Sequence, residues 1–367
     1  MGVPDTGQVA FFPWVHLARA ITLGGVEFVP WERATSTEPT TSVVAPYEGA
    51  TGQSVSRATL AHVVGRDRWS WLDELDRLFR VRGLLACAAL GARYSSGAPY
   101  CNSDHFWPVV QGFESGRTGS LISTRTRHGL AGRMIAGEMY RVSAPQHAAP
   151  VEQVQVDDEL LDVFDAVLAA GGTIAGSATE AAMLYLLSNT DSSSYQPHTE
   201  LLLLMTSIQQ ALGVADKHRE HEIRRSFEQT LENLQPATNV ACSRSDPSRA
   251  QFTPRALWLS DMYRRRNAIA HGDISGSAGG AQQLWTDEEH LFLGSFILPL
   301  ALAARCASEL SLSRPLLRVK RGIRIFDKLL GIDIFEKDPP RHGTPKWKVA
   351  LSRFDLDEAT QRLLSQP

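Results

Sequence analysis

Apolar positions change their period along this chain, and each change marks a different kind of element. Near the N-terminus, QVAFFPW and ITLGGVEFVPW carry short apolar runs bounded by Pro13, Gly24-Gly25 and Pro30, which predicts short strands. Thr35 to Gly52 is rich in Thr, Ser and Pro and predicts a loop. From Arg57 to Tyr94 the pattern turns helical, above all in DRWSWLDELDRLFRVRGLLACAALGARY, where apolar residues recur at three and four positions. HFWPVVQGF and SLISTRTRHG then read as two strands around the turn Glu114-Ser115-Gly116-Arg117, with Thr118-Gly119 completing it. Residues 143–156, with Pro145 and Pro150, predict a linker to the second half of the chain.

The second half is helical in period. Residues 176–234 read as helices ending in ELLLLMTSIQQALGV and HEIRRSFEQTLENL. LWLSDMYRRRNAIAH comes next, with Leu259, Met262 and Ile269 on one side, and then the long apolar run EEHLFLGSFILPLALAARCASEL. Gly272 stands where a helix C′ cap is expected, which places His271 in the last turn. The expected organisation is an α+β N-terminal domain over 1–150, an all-α region over 151–313 and a basic C-terminal helical extension over 314–367. No internal repeat is visible.

Composition narrows the class. A chain of 367 residues predicts two or three domains with ample core. The net charge of −3 excludes a molecule that is basic throughout. Cys87, Cys101, Cys242 and Cys306 show no C-x-x-C spacing and read as reduced thiols of an intracellular protein. The opening MGVPDTGQVAFFPW lacks a basic region followed by a long apolar core, and the most apolar stretch, Leu291 to Leu302, is short for a bilayer. The expectation is a soluble cytoplasmic protein with no membrane partner.

Charge is uneven. Residues 151–250 carry 15 acidic and 6 basic side chains, whereas residues 314–348 carry 10 basic and 4 acidic ones. In the latter, Arg314, Arg318, Arg321 and Arg324 recur at helical spacing, and Lys346 and Lys348 flank Trp347. Such a helix and loop could track a phosphate backbone and stack a base. Two plainer alternatives stand beside that. Ile323, Phe326 and Leu330 could form a packed face with the arginines as its solvated back, or the arginines could pair with the acidic middle segment.

The densest candidate chemistry is Arg266-Asn267-Ala268-Ile269-Ala270-His271-Gly272. It places a permanently charged guanidinium, an amide and an imidazole within six residues. A cation at a helix C-terminus is favoured by about 0.3–1 kcal/mol, which inclines His271 towards its protonated form. Arg266 and His271 are five apart, about 140° around a straight helix, so they do not share a face, whereas Asn267 and His271 do.

RNAIAHG resembles the Arg-polar-x-x-x-His signature of HEPN domains, within them the ApeA-like branch. The resemblance implies an antiparallel helical bundle over 151–313 that pairs as a homodimer, joining two motifs into one RNA-cleaving site. It implies a metal-independent endoribonuclease with no cofactor, acting in toxin systems or defence against phage. Arg266, Asn267 and His271 would be its catalytic residues, with tRNA or another structured RNA as substrate. A phage-derived trigger or a neutralising partner protein would control it. FFPW, GGVEFVPW and TRTRHG also look like pieces of the N-terminal domains of ApeA-like proteins, which would sense the trigger or restrain the nuclease.

Further residues fit around that site. Arg264 and Arg265 precede the motif, and Arg264 lies nearly on the face of His271, where it could support the phosphate. Arg125 and Arg127 alternate on one strand face and could contact RNA, or protect a strand edge by charge. Arg318, Arg321 and Lys346 complete the expected RNA-binding set. His218, His221 and Glu222 lack the H-E-x-x-H order and read as an exposed helix segment rather than a zinc site. Neither a phosphate-binding glycine loop nor a G-x-S-x-G elbow occurs. The alternative functions are a non-catalytic module binding RNA or a partner through the same surface, and a helical scaffold in which Arg266 and His271 are structural.

Overall fold

The computed structural model describes residues 6–35, 44, 47–49, 54–64, 73–92, 102–114, 117–126, 129–136, 140–142, 153–190, 195–214, 219–237, 249–272, 283–332, 334, 349 and 352. The chain divides into two compact units: 1–85 with 99–155 and 191–193, and 86–98 with 156–190 and 194–367. An antiparallel sheet near the N-terminus is followed by helices, so the expected α+β region followed by an all-α region is what the chain forms.

In the first unit, seven strands form one sheet: β1 (Thr6–Phe12), β2 (Ile21–Leu23), β3 (Val26–Glu32), β5 (Arg57–Val63), β6 (Val109–Glu114), β7 (Arg117–Thr126) and β8 (Gly129–Ala136). Their order is β2-β3-β5-β1-β6-β7-β8, every neighbour antiparallel. Two short strands, β4 (Tyr47–Gly49) and β9 (Tyr140–Val142), pair in parallel as a separate ribbon. Consecutive Phe11 and Phe12 on the central strand point to opposite faces, yet both are buried, so the sheet is covered on both sides there. Phe11 packs edge-on against Tyr47 at 4.9 Å, within a cluster that includes Trp31, Val44, Val55 and Ala58. Phe12 meets Phe28 on the other side at 5.9 Å.

Several sequence expectations change here. The segment Arg57–Val63, whose period predicts the opening of a helical stretch, is instead β5; helix α1 begins only at Asp73 and runs to Ala92. RATLAHV satisfies both periods, and pairing with β1 and β3 on its two sides decides for the strand. Thr59 ties it further, donating to the carbonyl of Val15 at 2.8 Å and accepting from the amide of Leu17 at 3.2 Å. Pro30 lies within β3 rather than at its end. It sits beyond β2, which pairs only with Val26–Phe28, where the sheet has an edge that tolerates proline. Strands β8 and β9 carry no strand pattern of their own in the sequence. The two strands around Glu114 to Arg117 form as expected.

The second unit holds the C-terminal turns of α1 and helices α2 (Asp158–Ala170), α3 (Gly172–Ser188), α4 (Pro197–Ala211), α5 (Glu220–Glu232), α6 (Pro254–Ala270), α7 (Asp287–Glu309) and α8 (Leu317–Leu330). α7 is its spine. It outruns the twelve-residue apolar stretch read from sequence: its 23 residues and mean hydropathy of 1.7 would suffice to cross a membrane, but 78% of its apolar window is buried in the protein. Gly294 lets α4 approach closely, since an added Cβ would come within 2.5 Å of Leu204. Phe227 of α5, Trp258 of α6 and Phe326 of α8 meet in one aromatic cluster, with ring centroids 5.3–6.3 Å apart.

The segment expected as a separate basic tail is an integral helix of this unit. Val319, Ile323, Phe326 and Leu330 of α8 are buried, and its N-terminus is capped from α2. Glu159 accepts from the amides of Arg318 at 2.8 Å and Val319 at 3.3 Å, replacing the side-chain cap that Leu316 cannot supply. Deeper in, Arg255 of α6 forks onto Asp327 of α8, Nε to Oδ1 at 2.6 Å and Nη2 to Oδ2 at 2.8 Å. Its Nη1 donates to the carbonyl of Gln235 at 3.0 Å. Both side chains are almost fully buried.

Removing one member of that pair strands the other charge. Asp327→Ala should therefore lower stability by about 3–5 kcal/mol, and the double change Arg255→Met/Asp327→Leu should recover most of it. Urea unfolding followed by circular dichroism checks both; a mild Asp327→Ala would show that the pair does not hold α8 to α6.

Candidate functional site

The motif lies on α6, and both ends of that helix are built as its sequence dictates. Thr253 caps the start, accepting from the amide of Ala256 at 3.1 Å and donating to Glu228 Oε1 at 2.6 Å, with Pro254 in the first turn. At the other end, Gly272 adopts φ +90°, a left-handed conformation natural to glycine. Its amide reaches the carbonyl of Ile269 at 3.0 Å, and His271 is left as the exposed C-cap residue. Leu257, Trp258, Leu259, Met262 and Ile269 are buried, as the expected apolar face requires.

The three consecutive arginines have three different environments. Arg264, a quarter exposed, lies 3.3 Å from Asp261 Oδ1. Arg265 is nearly buried and forks onto Asp287, Nε to Oδ1 at 2.7 Å and Nη2 to Oδ2 at 2.8 Å. The sequence points to it as a phosphate contact, but its donors are committed to a carboxylate of α7. Arg266 donates through Nη1 to Asn267 Oδ1 at 2.8 Å, and its guanidinium carbon sits 5.9 Å from the Tyr263 ring centroid. Arg266 and Asn267 are thus joined side by side, half-buried. The ring of His271 has no hydrogen-bond or ion-pair partner among the described residues, and nothing joins it to Arg266 within one chain.

Two carboxylates hold this arrangement in place. Asp261, buried four residues before Arg265, accepts at Oδ2 from the amides of Leu284 at 3.0 Å and Trp285 at 3.1 Å. Its Oδ2 also lies 3.3 Å from Nε2 of His290, outside hydrogen-bond geometry. His290 is fully buried between Trp258 and Trp285, with both ring centroids 6.2 Å away. Asp287, in the first turn of α7 after the Thr286 cap, also receives Gln283 Nε2 at 3.1 Å and lies 3.4 Å from His198 Nε2. Burial alone would raise its carboxyl. The hydrogen bonds and charge of Arg265, the amide of Gln283 and the charge of His198 outweigh that and hold it below the ordinary aspartate value.

The remaining expected RNA contacts are placed unequally. Arg318 lies 3.7 Å from Asp157 and Arg314 pairs with Asp162, both on or beside α2, so the basic helix meets the acidic segment. Burial raises the carboxyl of Asp157 against the opposing amides of Leu160 and Glu159 and the charge of Arg318. Arg321 is half-buried on α8. Arg125 pairs in register with Leu130 between β7 and β8, while Arg127, Lys346 and His218 lie outside the described residues. Glu220 of the charged segment is taken up by Arg249 at 3.2 Å and by Ser260. Cys87 and Cys306 are buried free thiols, Cys306 pushed up to about 12 by burial, so neither is poised as a nucleophile. Cys101 and Cys242 lie outside the described residues.

Asp261, Asp287, His198 and His290 escape a reading of the sequence. Asp261 carries a usable signal, since i, i+3 and i, i+4 spacing puts it under Arg264 and Arg265. The others carry none. Comparison with family models, with curated proteins and with solved structures finds no match to this chain.

Because the Asp287 carboxyl is lowered on folding, the stability it contributes is present above the ordinary aspartate value of about 3.9 and fades as pH falls through the lowered one. Asp287→Asn should cost about 1.5–3 kcal/mol at neutral pH, and the gap to wild type should narrow near about pH 3. Urea titrations at the two pH values check this; a gap independent of pH would show that the ionised form carries no weight.

Proposed function

We propose that this chain is a metal-independent endoribonuclease of the HEPN type, acting as a homodimer in the cytoplasm as a toxin or anti-phage effector. The observation that carries the reading is the pairing of Arg266 with Asn267 beside an exposed His271 at the end of one helix. Carboxylates occupy Arg264 and Arg265, so Arg266 is the arginine of the three turned to the motif's own amide.

The chemistry follows from these parts. The 2′-oxygen of RNA attacks the adjacent phosphorus, the bond to the 5′-oxygen breaks, and a 2′,3′-cyclic phosphate is left. Arg266 holds the phosphate and stabilises the charge growing on its oxygens, a role worth about 3–4 kcal/mol for a preorganised donor. Asn267 orients that guanidinium. His271 returns a proton to the leaving oxygen, favoured in its cationic form by the helix C-terminus. The faces of Arg266 and His271 diverge around the helix, and a second copy brings the complementary residue of each pair. The sheet unit would sense a trigger or restrain the nuclease.

A non-catalytic module that binds RNA or a partner is the second reading. It is favoured by the acidic balance of residues 151–250 and by the carboxylates on Arg265 and Arg318.

Structured RNA incubated with the protein in EDTA separates the two. The nuclease reading expects products ending in 2′,3′-cyclic phosphate, a fall of at least about a hundredfold for Arg266→Ala or His271→Ala, and no cutting where the scissile 2′-hydroxyl is replaced by hydrogen. RNA bound but uncut by the wild-type dimer would establish the binding module instead.

A further inference from the structure

The reaction moves two protons, one off the 2′-oxygen and one onto the 5′-oxygen, and the motif of one chain contains one histidine. Among the described residues of the second unit, a further imidazole is attached to the motif helix through a single carboxylate. His198, in the first turn of α4, lies with Nε2 3.4 Å from Asp287 Oδ2. The same oxygen accepts Arg265 Nη2 at 2.8 Å, so His198, Asp287 and Arg265 form a chain from α4 through α7 to the residue next to Arg266. His198 is 29% exposed, whereas Asp287 and Arg265 are 13% and 8% exposed, so the imidazole is the member that reaches solvent.

The other described histidines of this unit outside the motif do not meet those conditions. His290 is fully buried. His221 lies on α5, whose polar link to α6 is made by Glu220 at Ser260, on the N-terminal half of the motif helix.

We propose that His198 is the general base of the candidate site, oriented by Asp287, and that His271 is the general acid. The inference rests on the nuclease reading. With Nε2–H directed at Asp287, the neutral ring presents Nδ1 as an acceptor, the base–orienter arrangement that histidine–aspartate dyads use. The contact is longer than a formed hydrogen bond, as is common in catalytic sites before substrate tightens them. Proton balance closes: Nδ1 of His198 takes the 2′-hydroxyl proton as the new P–O bond forms, and His271 gives one to the departing 5′-oxygen. The charged groups facing His198 are Asp287 and Arg265 of its two neighbouring helices, with Gln283 as the neutral donor.

The test is a pH–rate profile of full-length protein on structured RNA in EDTA, comparing wild type, His198→Gln and His271→Ala. His198→Gln, whose amide can still donate to Asp287, should lose about a hundredfold or more in kcat with KM within about threefold. It should also lose the acidic limb of the profile, and His271→Ala the alkaline limb. His198→Gly should regain activity with added imidazole, a rescue that a purely structural role does not give. Should His198→Gln melt below the assay temperature, His198→Asn takes its place. His198→Gln within about threefold of wild type, with both limbs intact, would overturn the proposal and leave both proton transfers to the two motif histidines of a dimer. Wild-type protein that binds RNA without cutting it would instead overturn the nuclease reading, and this inference with it.

Discussion

A charge taken out of water is tolerable only beside its partner, and the motif helix buries three. Arg255 meets Asp327, Arg265 meets Asp287, and Asp261 meets two backbone amides and Arg264. Each contact reaches a different part of the second unit: α8, the start of α7, and the loop that leads into α7. Apolar packing around Trp258 and Met262 supplies cohesion, but it is non-directional and would tolerate a rotated helix. The charge pairs do not tolerate rotation, because turning α6 by one residue would strand all of them. They fix which side chains face inwards and leave Arg266, Asn267 and His271 outside.

That division explains how much is legible in the sequence. The extent of α6 is legible because Pro254, Gly272 and the spacing of Leu259, Met262 and Ile269 are local signals. The roles of the three arginines are not, because Asp287 lies 22 residues beyond Arg265 and reaches it only once α7 is packed. The same limit applies to the sheet. β5 has an ambiguous period that its two neighbours resolve, and GLAGRMIA becomes β8 through its register with β7, where Leu121 pairs with Met134. α2 has a clear signature in its Asp157 cap and buried Leu160, Val163, Phe164 and Val167, but it adjoins a stretch whose prolines read as linker.

The charge asymmetry of the sequence has a similar resolution. The basic run from Arg314 is open to two uses, RNA contact or pairing with the acidic middle segment. Glu159, Asp157 and Asp162 answer for the part that is described: acidic α2 caps and pairs with basic α8. Attraction for a polyanion, if this unit exerts one, then rests on the motif end of α6 rather than on α8. That is consistent with a small site reading a single phosphate, and less so with a long electrostatic track.

The central claim is that Arg266 and His271 serve one site assembled from two copies. The most direct measurement mixes Arg266→Ala and His271→Ala proteins, each inactive alone, under conditions that let dimers exchange, and follows RNA cleavage in EDTA. Recovery of cleavage on mixing is the predicted result, since each mixed dimer regains one intact combination of arginine and histidine. A mixture as inactive as its components, while the wild type cuts, would contradict it and place the whole site within one chain.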